Sequence, residues 1–191
     1  DIVFLHDVDE RHNAFLQRMV RRLLFILTIR THSGALYDVD TRLRPSGRAG
    51  TIVSSLAAFE RYQQRDAWVW EHQALVRARP VAGDAAVGAA FMRIRREVLC
   101  QPRDRAALRG AIVDMRHRIG TPVSAGVDLK RESGGIVDIE FMVQYLVLAF
   151  AAVHPTLADW TDNVRILETA AAVGLLEADT AAMLKDAYLA L

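Results

Sequence analysis

The 191-residue chain has a single cysteine, Cys100. One thiol excludes an internal disulfide and fits a reducing, cytoplasmic setting. Excess charge of either sign is also missing: 24 Lys and Arg stand against 23 Asp and Glu, a net of +1. That balance gives no electrostatic reason to expect nucleic acid or an anionic membrane as a partner. No long hydrophobic run is present. The richest, "FMVQYLVLAFAAV", is interrupted by Gln144 and falls short of a membrane span. The start lacks the basic segment of a signal peptide, and no repeat or low-complexity tract appears. Neither CxxC nor HExxH occurs, so His72 has no second ligand at zinc spacing and Cys100 reads as structural. What is there is 52% hydrophobic, enough for one or two domains with real cores. The chain opens abruptly on the strand-like "DIVFLHD" and closes inside a helical pattern, which predicts a fragment of a longer protein.

Hydrophobic period divides the chain. Residues 1–6 read as a buried strand. From Glu10 to Thr31 the period is helical, with Phe15, Leu16, Met19, Val20, Leu23, Leu24 and Leu27 on one face. Residues 35–43 alternate and predict a second strand, and "TIVSS" a short third. Ser55 is placed to cap a helix over "LAAFERYQQRDAW". "ALVRARPVAGD" has strand character, with Arg77 and Arg79 on one face. Beyond Gly83 the pattern is helical in five segments, with "VDLK" the one remaining strand candidate. The expected class is therefore α+β: a small mixed sheet with helices over 1–83, then an all-helical domain over 84–191.

Chemistry concentrates in "LYDVDTRLRPSGRAG", residues 36–50. On a strand, Asp38, Asp40, Arg42 and Arg44 share one face. Carboxylates on neighbouring strands, with Asp1 the other, can share a hard cation such as Mg²⁺, which takes oxygen ligands and keeps substrate phosphates. Arg42 and Arg44 suit phosphate oxygens through bidentate contacts. The ordinary alternative is a solvated edge of alternating charge, and "PSGRAG" reads equally well as a plain turn. In the helical part, Gly134-Gly135 predicts a close backbone approach before a helix. Glu140 and Gln144 share a face of that helix and Asp138 points away. Glu140 is expected to pair with an arginine of the sheet region, with Lys130 or nucleotide as its other candidate partner. Trp68 and Trp70 are candidates for adenine stacking or for packing.

Four blocks, "YDVDTRLRPSG", "AFERYQQRDAWVWEHQALVRARPVAGD", "GGIVDIEFMVQYLVL" and "WTDNVRILE", resemble the bacterial glutamine synthetase adenylyltransferase family. These are bifunctional enzymes of nitrogen control that add and remove AMP through two homologous nucleotidyltransferase halves. "ESGGIVDIEF" and "VDTRLRP" look like the C-terminal, adenylylating half. The resemblance implies a truncated polymerase-β-like nucleotidyltransferase palm. In it, Asp1 matches the second carboxylate and Asp40 the third, both as metal ligands, with Asp40 also a candidate base. The family's Gly-Ser turn and first Asp have no match in this sequence. The implied reaction moves AMP from ATP to a tyrosine hydroxyl of glutamine synthetase with Mg²⁺. Arg42, Arg44 and Ser46 become candidate phosphate or nucleotide contacts, or braces for the carboxylates. The implied partners are glutamine synthetase and a small trimeric nitrogen-signal regulator. Two other readings stay open: a non-catalytic helical docking fragment, and the adenylyl-removing half.

Overall fold

A computed structural model describes residues 1–32, 34–35, 37–45, 47, 50–120 and 128–190. The protein is α+β and mostly helical, with eight α-helices among the described residues. Backbone proximity divides it into two units: Asp1–Ala67 with Pro80–Met92, and Trp68–Arg79 with Arg93–Leu191.

The first unit holds the strands. β1 (Phe4–His6) is followed by a 3-10 turn (Glu10–His12) and α1 (Asn13–Thr28), then by β2 (Arg30–Thr31) and β3 (Gly34–Ala35). β4 (Val53–Ser55) lies parallel to β1, with Phe4 opposite Val53 and His6 opposite Ser55. A parallel pair needs a crossover, and α1 lies in the intervening chain. β2 and β3 form a small antiparallel hairpin. The apolar stripe of α1 packs more narrowly than its period predicts. Val20 is buried and Leu16, Leu24 and Leu27 are half-buried, but Phe15, Met19 and Leu23 face outward. α2 (Leu56–Arg65) follows β4 directly, and the Ser55 hydroxyl accepts from the Ala58 N–H at 3.2 Å, as its sequence position predicts. Phe59 is buried in this unit, its ring 5.8 Å from that of Phe91.

Two strand expectations are corrected. Residues 37–45 belong to no strand. The Asp40 carboxylate accepts the Arg42 backbone N–H at 2.8 Å, a local turn that competes with a ladder. "ALVRARPVAGD" begins inside a helix, α3 (Val69–Val76), so Arg77 and Arg79 share no strand face. The Glu71 carboxylate accepts the Trp68 N–H at 2.9 Å and satisfies an orphan donor at the helix start. In "VDLK", Val127 lies outside the described residues and the rest is turn.

Among its described residues the second unit holds helices and no strand. It comprises α3, the second half of α4 (Ala85–Leu99), α5 (Arg105–Ile119), α6 (Ile136–Phe150), α7 (Asn163–Ala172) and α8 (Ala178–Ala190). Asp104 and Asp162 cap α5 and α7 through backbone N–H groups at 2.8 and 2.9 Å. α6 is the central element. Val143, Val147 and Leu148 are fully buried, and α6 touches α3, α5, α7 and α8. It begins at the double glycine. Gly134 has φ +84°, and a Cβ on Gly135 would come 2.5 Å from the Leu129 carbonyl oxygen. That carbonyl and the one of Lys130 accept the first N–H groups of α6, from Ile136 at 3.1 Å and Val137 at 3.0 Å.

Arg95 is the largest fully buried side chain. Its guanidinium donates to the carbonyls of Leu75, Val76, Ala158 and Trp160. Two of these belong to the last turn of α3, where carbonyls lack helical partners and the dipole favours a cation. Burial lowers its pKa to about 10, so it remains charged at neutral pH.

Candidate functional site

The acid–base segment is folded on itself. The Ile2 N–H donates to the Asp40 carbonyl at 2.8 Å, so the chain at residues 1–2 runs beside Asp40. The half-buried Asp40 carboxylate is gripped by the nearby Arg42. Arg42 Nε lies 2.7 Å from Oδ2 and 3.0 Å from Oδ1, and Nη2 also reaches Oδ2. With the Arg42 backbone N–H on Oδ1, both oxygens are occupied. The side-chain hydrogen bond from Arg42 holds the Asp40 carboxyl at about 2, and the backbone hydrogen bond adds to it. Asp40 raises the Arg42 pKa in return, chiefly through that same hydrogen bond.

Arg44 does a different job. Its Nη1 donates to the Thr41 carbonyl at 2.6 Å and hydroxyl at 3.1 Å, and its Nε to the Gly50 carbonyl at 3.3 Å. It ties both ends of the turn that follows Asp40. Asp38 is exposed and Ser46 lies outside the described residues. The expected strand face therefore does not exist. The structure brings Asp40 to Arg42, and Arg44 to Thr41 and Gly50. Thr41 and Gly50 were missed in the sequence because contacts with backbone carbonyls leave no pattern.

The remaining candidates lie in the second unit. Glu140 meets Arg77, an arginine of the expected sheet region as predicted, though it stands at the C-terminal end of helix α3 and not on a strand. One helical turn along, Gln73 donates to Gln144 at 2.7 Å, both side chains buried. Residues 73 and 77 of one helix thus meet 144 and 140 of the other, as the shared face of Glu140 and Gln144 predicts. Asp138 points elsewhere and pairs with Arg116 of α5. Burial works against Asp138's ionisation. The Arg116 and Gly134 hydrogen bonds, with the Arg116 charge, outweigh it and hold the carboxyl below its usual value. Arg116 also donates to the Arg131 carbonyl at 2.7 Å, fastening the turn before α6. The exposed Lys130 contributes its backbone, its N–H donating to Asp128 Oδ1 at 2.9 Å. Trp68 is 70% exposed and Trp70 36%, so of the two roles offered packing does not describe Trp68. His72 Nδ1 lies 3.4 Å from Arg103, and burial pushes the Cys100 thiol up, away from reactivity.

For a cation, the fitting donors are oxygen donors. Asp40 is ionised at neutral pH and partly open to solvent, and the Ile2 hydrogen bond sets Asp1 next to its backbone. This set suits a hard divalent ion in kind. Among the described residues no group of three or more His, Cys, Asp and Glu is arranged to hold a metal. Among them, too, no helix is long and apolar enough to cross a membrane.

The family model described as glutamate-ammonia ligase adenylyltransferase matches residues 1–94, and that described as GlnD PII-uridylyltransferase matches residues 107–191. The bifunctional glutamine synthetase adenylyltransferase/adenylyl-removing enzyme of Pseudomonas putida is 48% identical over 98% of this chain and 22% of its own length. That of Thioalkalivibrio sulfidiphilus is 49% identical over 98% of this chain and 21% of its own. That of Vibrio parahaemolyticus is 46% identical over 100% and 22%. The chain thus spans about a fifth of the length of the curated relatives it matches, while nearly all of it is matched. It belongs to the glutamate-ammonia ligase adenylyltransferase family.

Proposed function

We propose that the chain carries part of the adenylylating site of a bifunctional enzyme of this family, in its C-terminal half. The reaction is transfer of AMP from ATP to a tyrosine hydroxyl of glutamine synthetase, in the cytoplasm. A small trimeric nitrogen-signal regulator is the further partner. The strand-and-helix unit is then a truncated nucleotidyltransferase palm. The observation that carries the reading is the backbone bond of Ile2 to Asp40, which sets the two family-matched carboxylates, Asp1 and Asp40, on adjoining stretches of chain.

In this reading Asp1 and Asp40 hold Mg²⁺. Bound there, the ion supplies charge neutralisation at the phosphates and acidifies the attacking hydroxyl. Asp40 acts as ligand more than as base: a carboxyl held at about 2 is a weak acceptor for the proton of a phenol near 10. Arg44 is spent on Thr41 and Gly50 and braces the turn, whereas the exposed Arg42, now on Asp40, carries the fork suited to a phosphate.

The test is Asp40→Asn in the full-length enzyme, with thermal melting as the folding control. Incorporation of labelled AMP into glutamine synthetase should be abolished, while removal of AMP from modified glutamine synthetase survives. Transfer within about tenfold of wild type, a barrier change of roughly 1.4 kcal/mol, would eliminate Asp40 as an essential ligand. Loss of removal with retention of transfer would assign the chain to the other half.

A further inference from the structure

The Arg42 guanidinium lies across both oxygens of the Asp40 carboxylate, where it competes with any cation that would bind there. Oδ2 accepts from Arg42 Nε and Nη2, and Oδ1 from Arg42 Nε and the Arg42 backbone N–H. A carboxylate offers about four lone-pair directions, and three N–H groups of Arg42 lie on them, the single Nε–H spanning both oxygens. A Mg²⁺-sized ion needs one of them at about 2.1 Å. It would also set two positive charges beside a third within a few ångströms. The two compete for the carboxylate.

The structure shows which can leave at little cost. The Arg42 side chain is 66% exposed, and among the described residues its hydrogen bonds go to Asp40. Its stem is flexible, and water can replace its contacts. Its backbone N–H is fixed by the turn and can stay on Oδ1 after the side chain swings out. Arg44, two residues on, is tied to three acceptors and stays with the turn. One arginine is anchored and one is held chiefly by the charge a cation would compensate, with Asp38 a smaller influence.

We propose that Arg42 is the resident counter-ion of Asp40, displaced when a divalent cation binds, so that cation loading frees a tethered guanidinium for an anionic ligand such as a nucleotide phosphate. This rests on Asp40 being a cation ligand, and goes beyond it by making Arg42 a competitor of the cation first and a phosphate partner second. The released fork is two residues from the carboxylate, and its planar pair of donors matches phosphate oxygens. Without the cation, Arg42 is engaged and the anion meets a neutralised pair.

The test titrates Mn²⁺, as a probe for Mg²⁺, into the full-length protein without nucleotide, followed by electron paramagnetic resonance of the free ion. Asp40→Asn should lose one bound Mn²⁺. Arg42→Ala and Arg42→Gln should each tighten that Mn²⁺ by up to about fivefold, the range expected for removing an exposed ion-pair partner. Arg22→Ala, an exposed arginine on α1, controls for net charge and should change nothing. With Mn²⁺ saturating, Arg42→Ala should weaken binding of a non-hydrolysable ATP analogue. Unchanged or weaker Mn²⁺ affinity in both Arg42 variants would overturn the exchange while leaving Asp40 a ligand. Equal tightening by Arg22→Ala would reduce the effect to bulk charge and also overturn it. No loss of Mn²⁺ in Asp40→Asn would instead remove the reading on which it rests.

Discussion

Replacing Arg95 by Met should be the most destabilising single change in the helical unit. Met keeps the unbranched apolar stem and removes the guanidinium, so the loss is chiefly polar. Four carbonyls, from Leu75, Val76, Ala158 and Trp160, lose their charged donor. A hydrogen bond to a charged group contributes roughly 1.5–3 kcal/mol, and a buried acceptor left bare costs about 1–3 kcal/mol. Against this stands the relief of no longer burying a cation, whose cost is visible in the lowered Arg95 pKa. Trp160 is only part-buried and its carbonyl can turn to water. Counting about three acceptors and subtracting the recovered desolvation leaves a net loss of about 3–5 kcal/mol. That is a large share of the roughly 5–15 kcal/mol that holds a domain together. Arg95→Lys should recover only part of it, because an ammonium is a compact charge that cannot fan out to four acceptors. Urea denaturation followed by far-UV circular dichroism measures both variants. A loss below about 1 kcal/mol in Arg95→Met would mean that the carbonyls find other donors and that the guanidinium does not fasten α3 to residues 158–160.

Gly135→Ala and Gly110→Ala should change stability in opposite directions. A Cβ at 135 meets three carbonyl oxygens, of Leu129, Glu132 and Lys130, at 2.5 to 3.1 Å, whereas one at 110, inside α5, meets nothing. The first should cost about 2–3 kcal/mol by overpacking, and the second should add about 0.5–1 kcal/mol of helix propensity; thermal melts of both decide the point. Arg77→Ala, Glu140→Ala and their double mutant should show a coupling of about 0.5–1 kcal/mol in denaturant titrations, as for a partly exposed pair, and zero coupling would dissolve the pairing. Stability should also fall on acidification. Asp40 and Asp138 have folded-state pKa values below their unfolded ones, so their contribution is fully present above about pH 4 and is lost as pH falls towards 2. Asp40→Asn should flatten that slope in melts between pH 5 and 2, and an unchanged slope would refute the assignment.

Helices were legible in the sequence because their signals are local. Ser55 stands at the N-cap of α2, and the apolar stretch of α6 from Phe141 to Ala149 is interrupted at Gln144 alone. The strands were less legible for a physical reason that residues 37–45 make plain. Alternation of Tyr37, Val39, Thr41 and Leu43 with charged residues has the period of a strand, but period only describes what a strand would bury. A strand also needs a ladder. Here the Asp40 side chain supplies an alternative partner for the backbone N–H of Arg42, and Tyr37 stays 57% exposed. The "ALVRAR" run failed in the opposite direction. Its β-like composition was overridden by the Glu71 contact at the start of α3 and by the contacts α3 makes with α5 and α6.

At the candidate site the sequence conveyed which groups are present and not which groups hold one another. "D-x-D-x-R-x-R" names two acids and two bases at equal spacing, and on a strand all four would be equivalent members of one face. The folded turn breaks that equivalence. Asp38 is exposed, Asp40 is ionised and gripped, Arg42 grips it from solvent, and Arg44 has been drawn into the backbone of its own turn. The difference between the two arginines comes from their acceptors. Thr41 and Gly50 offer neutral carbonyls whose positions the turn fixes, so Arg44 has no reason to move when charge nearby changes. Asp40 offers a charge that another cation can claim, so Arg42 does. A segment that reads as alternating acid and base therefore resolves into one fixed brace and one exchangeable counter-ion, and the catalytic proposal depends on the second while the shape of the turn depends on the first.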